Sequence, residues 1–155
     1  MTEEAPPPAD DDRWLAEAVA LSRRCPPSPT AYSVGALVVA PDGTVLARGH
    51  SRQGGDPAVH AEEAALAALP PGAAAGATVY SSLEPCTHRR SRPRSCTALI
   101  IDSGAAAVVY ALAEPPDLAP CTGAADLRAA GLAVRHRPAL GAAVRAVNAH
   151  LLGGG

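Results

Sequence analysis

The chain has 155 residues, a mass of 15.5 kDa and 48% hydrophobic residues, enough to fill the core of one domain of ordinary size. Its formal net charge of −2 excludes a global basic field that would attract nucleic acid or anionic lipid. No apolar run approaches the ~20 residues of a transmembrane helix. The N-terminus is acidic and proline-rich, unlike a secretory signal, so we expect a cytoplasmic protein without membrane contact.

The first half of the chain predicts a helix, a β-hairpin, a second helix and a strand. Residues 1–11 are rich in proline and acids, which is typical of a disordered tail, and Asp11 and Asp12 are expected to cap the first helix. The ranges predicted from apolar periodicity and turn residues are helix 12–24, strands 34–40 and 44–49, helix 60–69 and strand 78–83.

The second half alternates helix and strand. The predicted ranges are helix 96–102, strand 105–112, helix 126–130, strand 132–137 and helix 140–152. Alternation of this kind with one early hairpin predicts an α/β fold, with a mixed sheet covered by helices on both faces. We expect one folded domain over 12–152 and a flexible glycine tail over 153–155.

Cysteine and histidine positions indicate a metal site. Four cysteines in a chain of this composition suggest metal binding or catalysis before disulfides. Cys86 and Cys96 each begin a predicted helical segment, where the helix N-terminus favours the metal-binding thiolate. Together with His60 they provide three ligands for Zn²⁺ and leave one coordination position open, as catalytic zinc sites do. A purely structural zinc site is the alternative.

Glu62 is predicted to be the catalytic residue of this site. Its carboxylate fits a proton shuttle that takes a proton from water and delivers it to a ring nitrogen and then to departing ammonia. Side chains at positions i and i+2 of a regular helix diverge by about 200°. His60 and Glu62 therefore converge only if His60 lies in an irregular first turn of the helix.

The arrangement His60-Ala61-Glu62 followed by Pro85-Cys86 and Cys96 matches the zinc-deaminase signature. The chain resembles the cytidine-deaminase-like superfamily and, more narrowly, the deaminase domain of the riboflavin-pathway bifunctional deaminase/reductase. The segments that carry this resemblance are 34–39, 60–66, 80–88, 96–104 and 126–134. The resemblance implies a three-layer α/β/α sandwich around a five-stranded mixed sheet, hydrolytic deaminase activity, and assembly into homodimers or homotetramers.

The chain departs from that family where the substrate is recognised. Ala31-Tyr32 stands where the family has an Asn-Pro pair, directly before Ser33, and the segment before His60 lacks the family's histidine and is longer by two residues. An arginine-rich stretch between the two cysteines is a candidate clamp for a substrate phosphate or, alternatively, a solvated loop. The residues predicted to bind substrate are Ser33, His88, Arg89, Arg90 and Arg92.

Three hypotheses follow for function. The first is a zinc-dependent hydrolytic deaminase acting on a small aminopyrimidine nucleotide, specifically 2,5-diamino-6-ribosylamino-4(3H)-pyrimidinone 5′-phosphate. The second keeps the chemistry but changes the substrate to another nucleoside, nucleobase or specialised-metabolite heterocycle. The third is a zinc-stabilised binding module without turnover. Glu62 argues against the third, because a structural zinc site has no use for that carboxylate.

Overall fold

A five-stranded mixed sheet forms the centre of the fold in this computed structural model, which describes residues 8–26, 28, 31–56, 58–86, 95–113 and 122–150. Its spatial strand order is β2-β1-β3-β4-β5. The strands are β1 (Gly35–Val39), β2 (Val45–His50), β3 (Thr78–Leu83), β4 (Ala107–Leu112) and β5 (Ala133–His136). Strand β1 pairs antiparallel with β2 and β3, whereas β3, β4 and β5 run parallel. The predicted mixed sheet is confirmed.

Helices cover both faces of this sheet. They are α1 (Pro8–Ser22), α2 (Ala61–Ala67), α3 (Cys96–Ser103), α4 (Gly123–Ala129) and α5 (Gly141–Val147). Helices α1 and α5 pack on one face, and α2, α3 and α4 pack mainly on the other. The three-layer α/β/α architecture is therefore confirmed. No helix in the described part of the chain is both long enough and apolar enough to cross a membrane.

Alternation along the central strands divides the core into two layers. In β1, Leu37 and Val39 belong to the layer beneath α1, and Val38 belongs to the layer beneath α2 and α3. In β4, Val109 belongs to the layer beneath α1, and Val108 belongs to the layer beneath α2 and α3. Successive side chains of a strand point to opposite faces, so a strand covered on both faces is apolar throughout. The continuous apolar run of β1 has this origin.

The first helix begins earlier than predicted. Helix α1 starts at Pro8, so Asp11 and Asp12 lie inside it and do not cap it, and the predicted tail over 1–11 overlaps the helix. The two carboxylates instead pair with Arg135 and Arg137 of the β5 region, at 2.8 Å and 3.2 Å. These ion pairs join parts of the chain that are more than 120 residues apart. Residues 1–7 and 153–155 lie outside the described residues.

Gly49 sets how closely α2 approaches the sheet. A Cβ atom at this position would lie 2.5 Å from the carbonyl oxygen of Ala61 and 2.6 Å from the backbone nitrogen of Ala65. Real Cβ atoms do not approach backbone atoms so closely, so only glycine allows the first turn of α2 to lie directly on β2. This contact holds the start of α2, where His60 and Glu62 lie, against the sheet.

Candidate active site

Three elements bring the predicted metal ligands together. Cys96 is the first residue of α3, and Cys86 follows β3 after the short connection Glu84-Pro85. His60 precedes α2 with extended backbone angles, φ −96° and ψ 160°. Because His60 lies outside the regular helix, the expected irregular first turn is present. The backbone N–H of His60 donates a hydrogen bond to the Glu63 carboxylate at 3.3 Å, which fixes the entry to the helix.

The donor atoms of these three residues converge. The Nδ1 atom of His60 lies 3.2 Å from the Sγ of Cys96 and 3.7 Å from the Sγ of Cys86, and all three donor atoms lie within 4.8 Å of one another. A tetrahedral zinc ion, with Zn–S bonds of about 2.3 Å and Zn–N bonds of about 2.0 Å, separates its nitrogen and sulfur ligands by roughly 3.5 Å. One imidazole and two thiols at this spacing fit Zn²⁺.

The neighbours of Cys86 stabilise its thiolate form. Hydrogen bonding with the Cys96 side chain lowers the pKa of Cys86 to about 4, against the opposing effect of burial, and His60 adds to the lowering. The backbone N–H of Cys96, at the start of α3, also donates to the Cys86 sulfur at 3.4 Å. A thiolate is the form that ligates metals, so the local structure favours the ligating state.

Glu62 is a buried carboxyl group beside these ligands. Only 4% of the residue is exposed, and burial raises its pKa, as does the nearby Cys86, while His60 lowers it. The Ser81 hydroxyl lies 3.0 Å from one Glu62 oxygen and 2.7 Å from the carbonyl oxygen of Leu83. Because Ser81 has one proton for these two acceptors, it solvates the Glu62 carboxylate only in part. A carboxyl whose pKa is raised in this way is better suited to act as both general base and general acid than a fully solvated one.

A cavity of about 220 Å³ opens onto this group. His60, Glu62 and Cys86 contribute to its wall, together with residues from segments 31–34, 51–59 and 83–84. Leu83 ends one of the parallel strands, and ligands of open α/β sheets bind beyond the carboxyl ends of such strands. Two of the candidate metal ligands, His60 and Cys86, therefore line the same cavity as the buried carboxyl of Glu62.

Two charged residues of this cavity were missed by the sequence analysis. Glu84 is 8% exposed and accepts a hydrogen bond from the backbone N–H of Ala124 at 3.0 Å, which ties α4 to the segment that carries Cys86. Arg52 is 6% exposed and also lines the cavity. The available signal for Glu84 was its place in Leu83-Glu84-Pro85-Cys86, directly before a metal ligand.

The predicted substrate-binding residues are placed only in part. His88, Arg89, Arg90 and Arg92 lie in segment 87–94, outside the described residues. Ser33 is described, but it borders a neighbouring surface groove with Cys25 and Val147, and its hydroxyl accepts a hydrogen bond from Arg52 at 2.8 Å. Its role in substrate binding stays a prediction. Ala31 and Tyr32, at the positions where the sequence departs from its family, do line the cavity.

Comparisons with known proteins agree with this geometry. Residues 8–112 match the cytidine and deoxycytidylate deaminase zinc-binding region. The chain is 33% identical over 131 residues to a diaminohydroxyphosphoribosylamino-pyrimidine deaminase of Schizosaccharomyces pombe, covering 82% of this chain and 32% of the relative. It is 43% identical over 103 residues to the riboflavin biosynthesis protein RibD of Mycobacterium tuberculosis, covering 66% of this chain and 29% of the relative.

A solved structure shows the same fold. RibD of Acinetobacter baumannii superposes with a TM-score of 0.79 at 28% identity, over 92% of this chain and 39% of that one. The chain thus spans about a third of the length of the curated relatives named above. The candidate metal ligands, the fold and the sequence agree, and the chain belongs to the family of the cytidine and deoxycytidylate deaminase zinc-binding region.

Proposed function

We propose that the chain is a zinc-dependent hydrolytic deaminase, which replaces an exocyclic amine of a small heterocycle by oxygen and releases ammonia. The observation that carries this proposal is the convergence of His60, Cys86 and Cys96 within 4.8 Å beside the same cavity as the buried Glu62. A structural zinc site needs the ligands but not the adjacent buried carboxyl. The non-catalytic binding module therefore leaves Glu62 without a purpose.

The residues of the cavity divide the chemistry between them. His60, Cys86 and Cys96 would hold zinc, which when bound supplies a Lewis acid that makes water a stronger nucleophile at neutral pH. Glu62 accepts a proton from the attacking water and passes protons to the ring nitrogen and to the departing amine, which leaves as ammonia. Its raised pKa suits both directions of transfer, because the protonated and ionised forms are then closer in free energy at neutral pH.

The proposed substrate is an aminopyrimidine nucleotide. The S. pombe relative is named as a diaminohydroxyphosphoribosylamino-pyrimidine deaminase, and the M. tuberculosis relative is named for riboflavin biosynthesis. We therefore propose 2,5-diamino-6-ribosylamino-4(3H)-pyrimidinone 5′-phosphate as the substrate. His88 is proposed to contact the ring, and Arg89, Arg90 and Arg92 are proposed to bind the phosphate by bidentate hydrogen bonds.

One observation favours a second candidate, the same chemistry on a different aminoheterocycle. The cavity wall contains Ala31, Tyr32, Ser51 and Arg52, all of which lie in the segments where the sequence departs from the riboflavin-pathway pattern. The ligands and the carboxyl are retained while this wall differs. A changed wall with unchanged chemistry is the arrangement expected when only substrate choice has shifted.

Ammonia release from protein loaded with one zinc per chain tests these proposals. The pyrimidine phosphate named above is tested beside a panel of aminopyrimidine nucleosides and bases. Glu62→Gln should retain its zinc and lose activity by a factor of about 10²–10⁴. Glu17→Gln on α1, a partly exposed glutamate paired with Arg48, is the matched control and should keep full activity. If the zinc-loaded protein releases ammonia from none of these compounds, the proposed deaminase activity is refuted.

Location and assembly are two further parts of the proposal. A cytoplasmic location is proposed because the cysteines that the structure describes, Cys25, Cys86 and Cys96, are free, as is usual in a reducing compartment. A homodimer or homotetramer is proposed because the sheet ends in two edge strands, β2 and β5, which offer unpaired backbone groups. Light scattering on the zinc-loaded protein distinguishes these assemblies from a monomer.

A further inference from the structure

One wall of the cavity is held by side chains as well as by one backbone hydrogen bond, from the Ser51 N–H to the Val34 carbonyl oxygen at 3.0 Å. Residues 31–34 precede β1, and Ala31, Tyr32 and Val34 line the cavity. The backbone N–H of Val34 donates to the Ser51 hydroxyl at 2.9 Å, and that of Ser33 donates to the side-chain oxygen of Asn148 at 2.7 Å. The position of this wall therefore depends on residues distant in sequence.

Arg52 makes the most extensive of these contacts. Its Nε donates to the carbonyl oxygen of Pro26 at 2.9 Å, its Nη1 to the carbonyl oxygen of Tyr32 at 3.1 Å, and its Nη2 to the Ser33 hydroxyl at 2.8 Å. All three guanidinium nitrogens thus hold the segment that leads into β1. The planar fork of arginine suits several acceptors at fixed angles, which the point charge of lysine does not.

An ion pair does not explain why this arginine is buried. Arg52 is 6% exposed, and the ion pairs of arginine within the described part of the chain involve Arg48, Arg135 and Arg137. A buried charge is costly unless hydrogen bonds or an opposite charge compensate it. The compensation that the structure shows for Arg52 is a set of three uncharged acceptors, two on the wall, at Tyr32 and Ser33, and one before it, at Pro26.

The backbone of Arg52 is also held in an uncommon conformation. Its φ of 58° and ψ of 28° lie in the left-handed region, and it is the one non-glycine residue with positive φ among the described residues. Its backbone N–H donates to the carbonyl oxygen of Val59 at 2.8 Å, which closes the loop directly before His60. Such conformations persist where the surroundings impose them, and they are concentrated at ligand sites.

We propose that Arg52 is a positioning residue that sets substrate affinity by fixing the wall formed by residues 31–34. One side of Arg52 is tied to the loop that leads to His60, and the other is tied to the wall, so it fixes the width of the cavity between them. The effect on substrate affinity rests on the proposed deaminase function. The effect of Arg52 on the position of the wall does not depend on that function, and it can be measured without turnover.

Hydrogen exchange measured by mass spectrometry on the zinc-loaded chain tests the effect on the wall. Arg52→Gly removes the side chain while glycine accepts the positive φ without strain. Exchange at the backbone amides of Ser33 and Val34 should become at least about tenfold faster, the factor expected when one hydrogen-bonded contact is lost. Millimolar guanidinium should restore protection, and methylammonium should not. Unchanged exchange in Arg52→Gly would overturn the proposal.

Steady-state kinetics separates positioning from general damage. Arg52→Lys should raise KM for the pyrimidine phosphate about tenfold and leave kcat within about twofold, because the wall contacts bound substrate but not the departing amine. Arg48→Lys, at an exposed arginine of β2, is the matched control and should change neither constant. A fall in kcat with unchanged KM would overturn the role in affinity. Absence of turnover in the wild type refutes the proposed function. In that case hydrogen exchange still tests whether Arg52 holds the wall in place.

Discussion

Asp11 joins three elements through one buried carboxylate. The residue is 1% exposed, and its oxygens accept hydrogen bonds from the Tyr80 hydroxyl at 3.0 Å and from Nε and Nη2 of Arg135 at 2.8 Å and 3.1 Å. These contacts tie α1 to β3 and to the edge strand β5. Asp11→Ala removes the acceptor for all three donors at once.

The cost of that substitution follows from the exposure of each donor. Tyr80 is fully buried, so loss of the carboxylate partner of its hydroxyl should reduce the free energy of unfolding by about 1–3 kcal/mol. The Arg135 side chain is 25% exposed, so water solvates it in part. Loss of its ion pair with Asp11 therefore lowers the free energy of unfolding by less than the loss of a fully buried ion pair would. We expect Asp11→Ala to reduce the free energy of unfolding by about 3 kcal/mol, which lowers Tm by about 6–12 °C for a chain of this size.

Urea unfolding of the zinc-loaded protein measures this change. A double-mutant cycle with Tyr80→Phe isolates the hydroxyl–carboxylate contact and should give a coupling of about 1 kcal/mol. Asp12→Ala is the matched control, because the neighbouring Asp12 pairs with Arg137 at the surface and should cost much less. A loss below about 1 kcal/mol for Asp11→Ala would refute the reasoning, since the buried donors would then have found other partners.

Three further predictions concern the active site. Gly49→Ala should destabilise the protein by about 1–3 kcal/mol and weaken zinc binding, since the added Cβ pushes on α2; urea unfolding and zinc titration measure both effects. Glu62→Gln should leave the unfolding midpoint unchanged or raise it, because burial disfavours the ionised carboxyl; a clear fall would mean that Glu62 supports the fold. Removal of zinc by a chelator should lower Tm, and added zinc should restore it. At a free zinc concentration of 100 times Kd, bound zinc should raise the free energy of unfolding by about 2.7 kcal/mol. An unchanged Tm would contradict a zinc site at His60, Cys86 and Cys96.

The fold could be predicted because its signals are local. The apolar run of β1 is buried on both faces, and the turn at Pro41-Asp42-Gly43 closes with a hydrogen bond from the Gly43 N–H to the Ala40 carbonyl at 2.9 Å. The irregular first turn at His60 was predicted from helix geometry alone, since two side chains spaced i and i+2 cannot otherwise converge. Each of these features depends on a few neighbouring residues.

The contacts that the sequence analysis missed are all long-range. Asp11 and Asp12 precede an apolar helical pattern, so local rules assigned them to a helix cap, but their partners lie at Arg135 and Arg137. The guanidinium of Arg52 donates to Pro26, Tyr32 and Ser33, which lie 19 to 26 residues earlier in the chain. Local propensity carries no information on which side chain a distant backbone carbonyl will meet.

The same distinction separates the chemistry of the site from its choice of substrate. The proposed zinc ligands and the proposed proton shuttle lie in short motifs at the start of α2, after β3 and at the start of α3, so a sequence motif is enough to predict them. The cavity wall depends on contacts of Ser33 with Arg52 and Asn148, across 19 and 115 residues. Substitutions in these distant partners can therefore move the wall while every residue of the zinc-deaminase signature remains. For that reason the residues behind the wall, rather than the signature itself, are where differences in substrate among such chains should be sought.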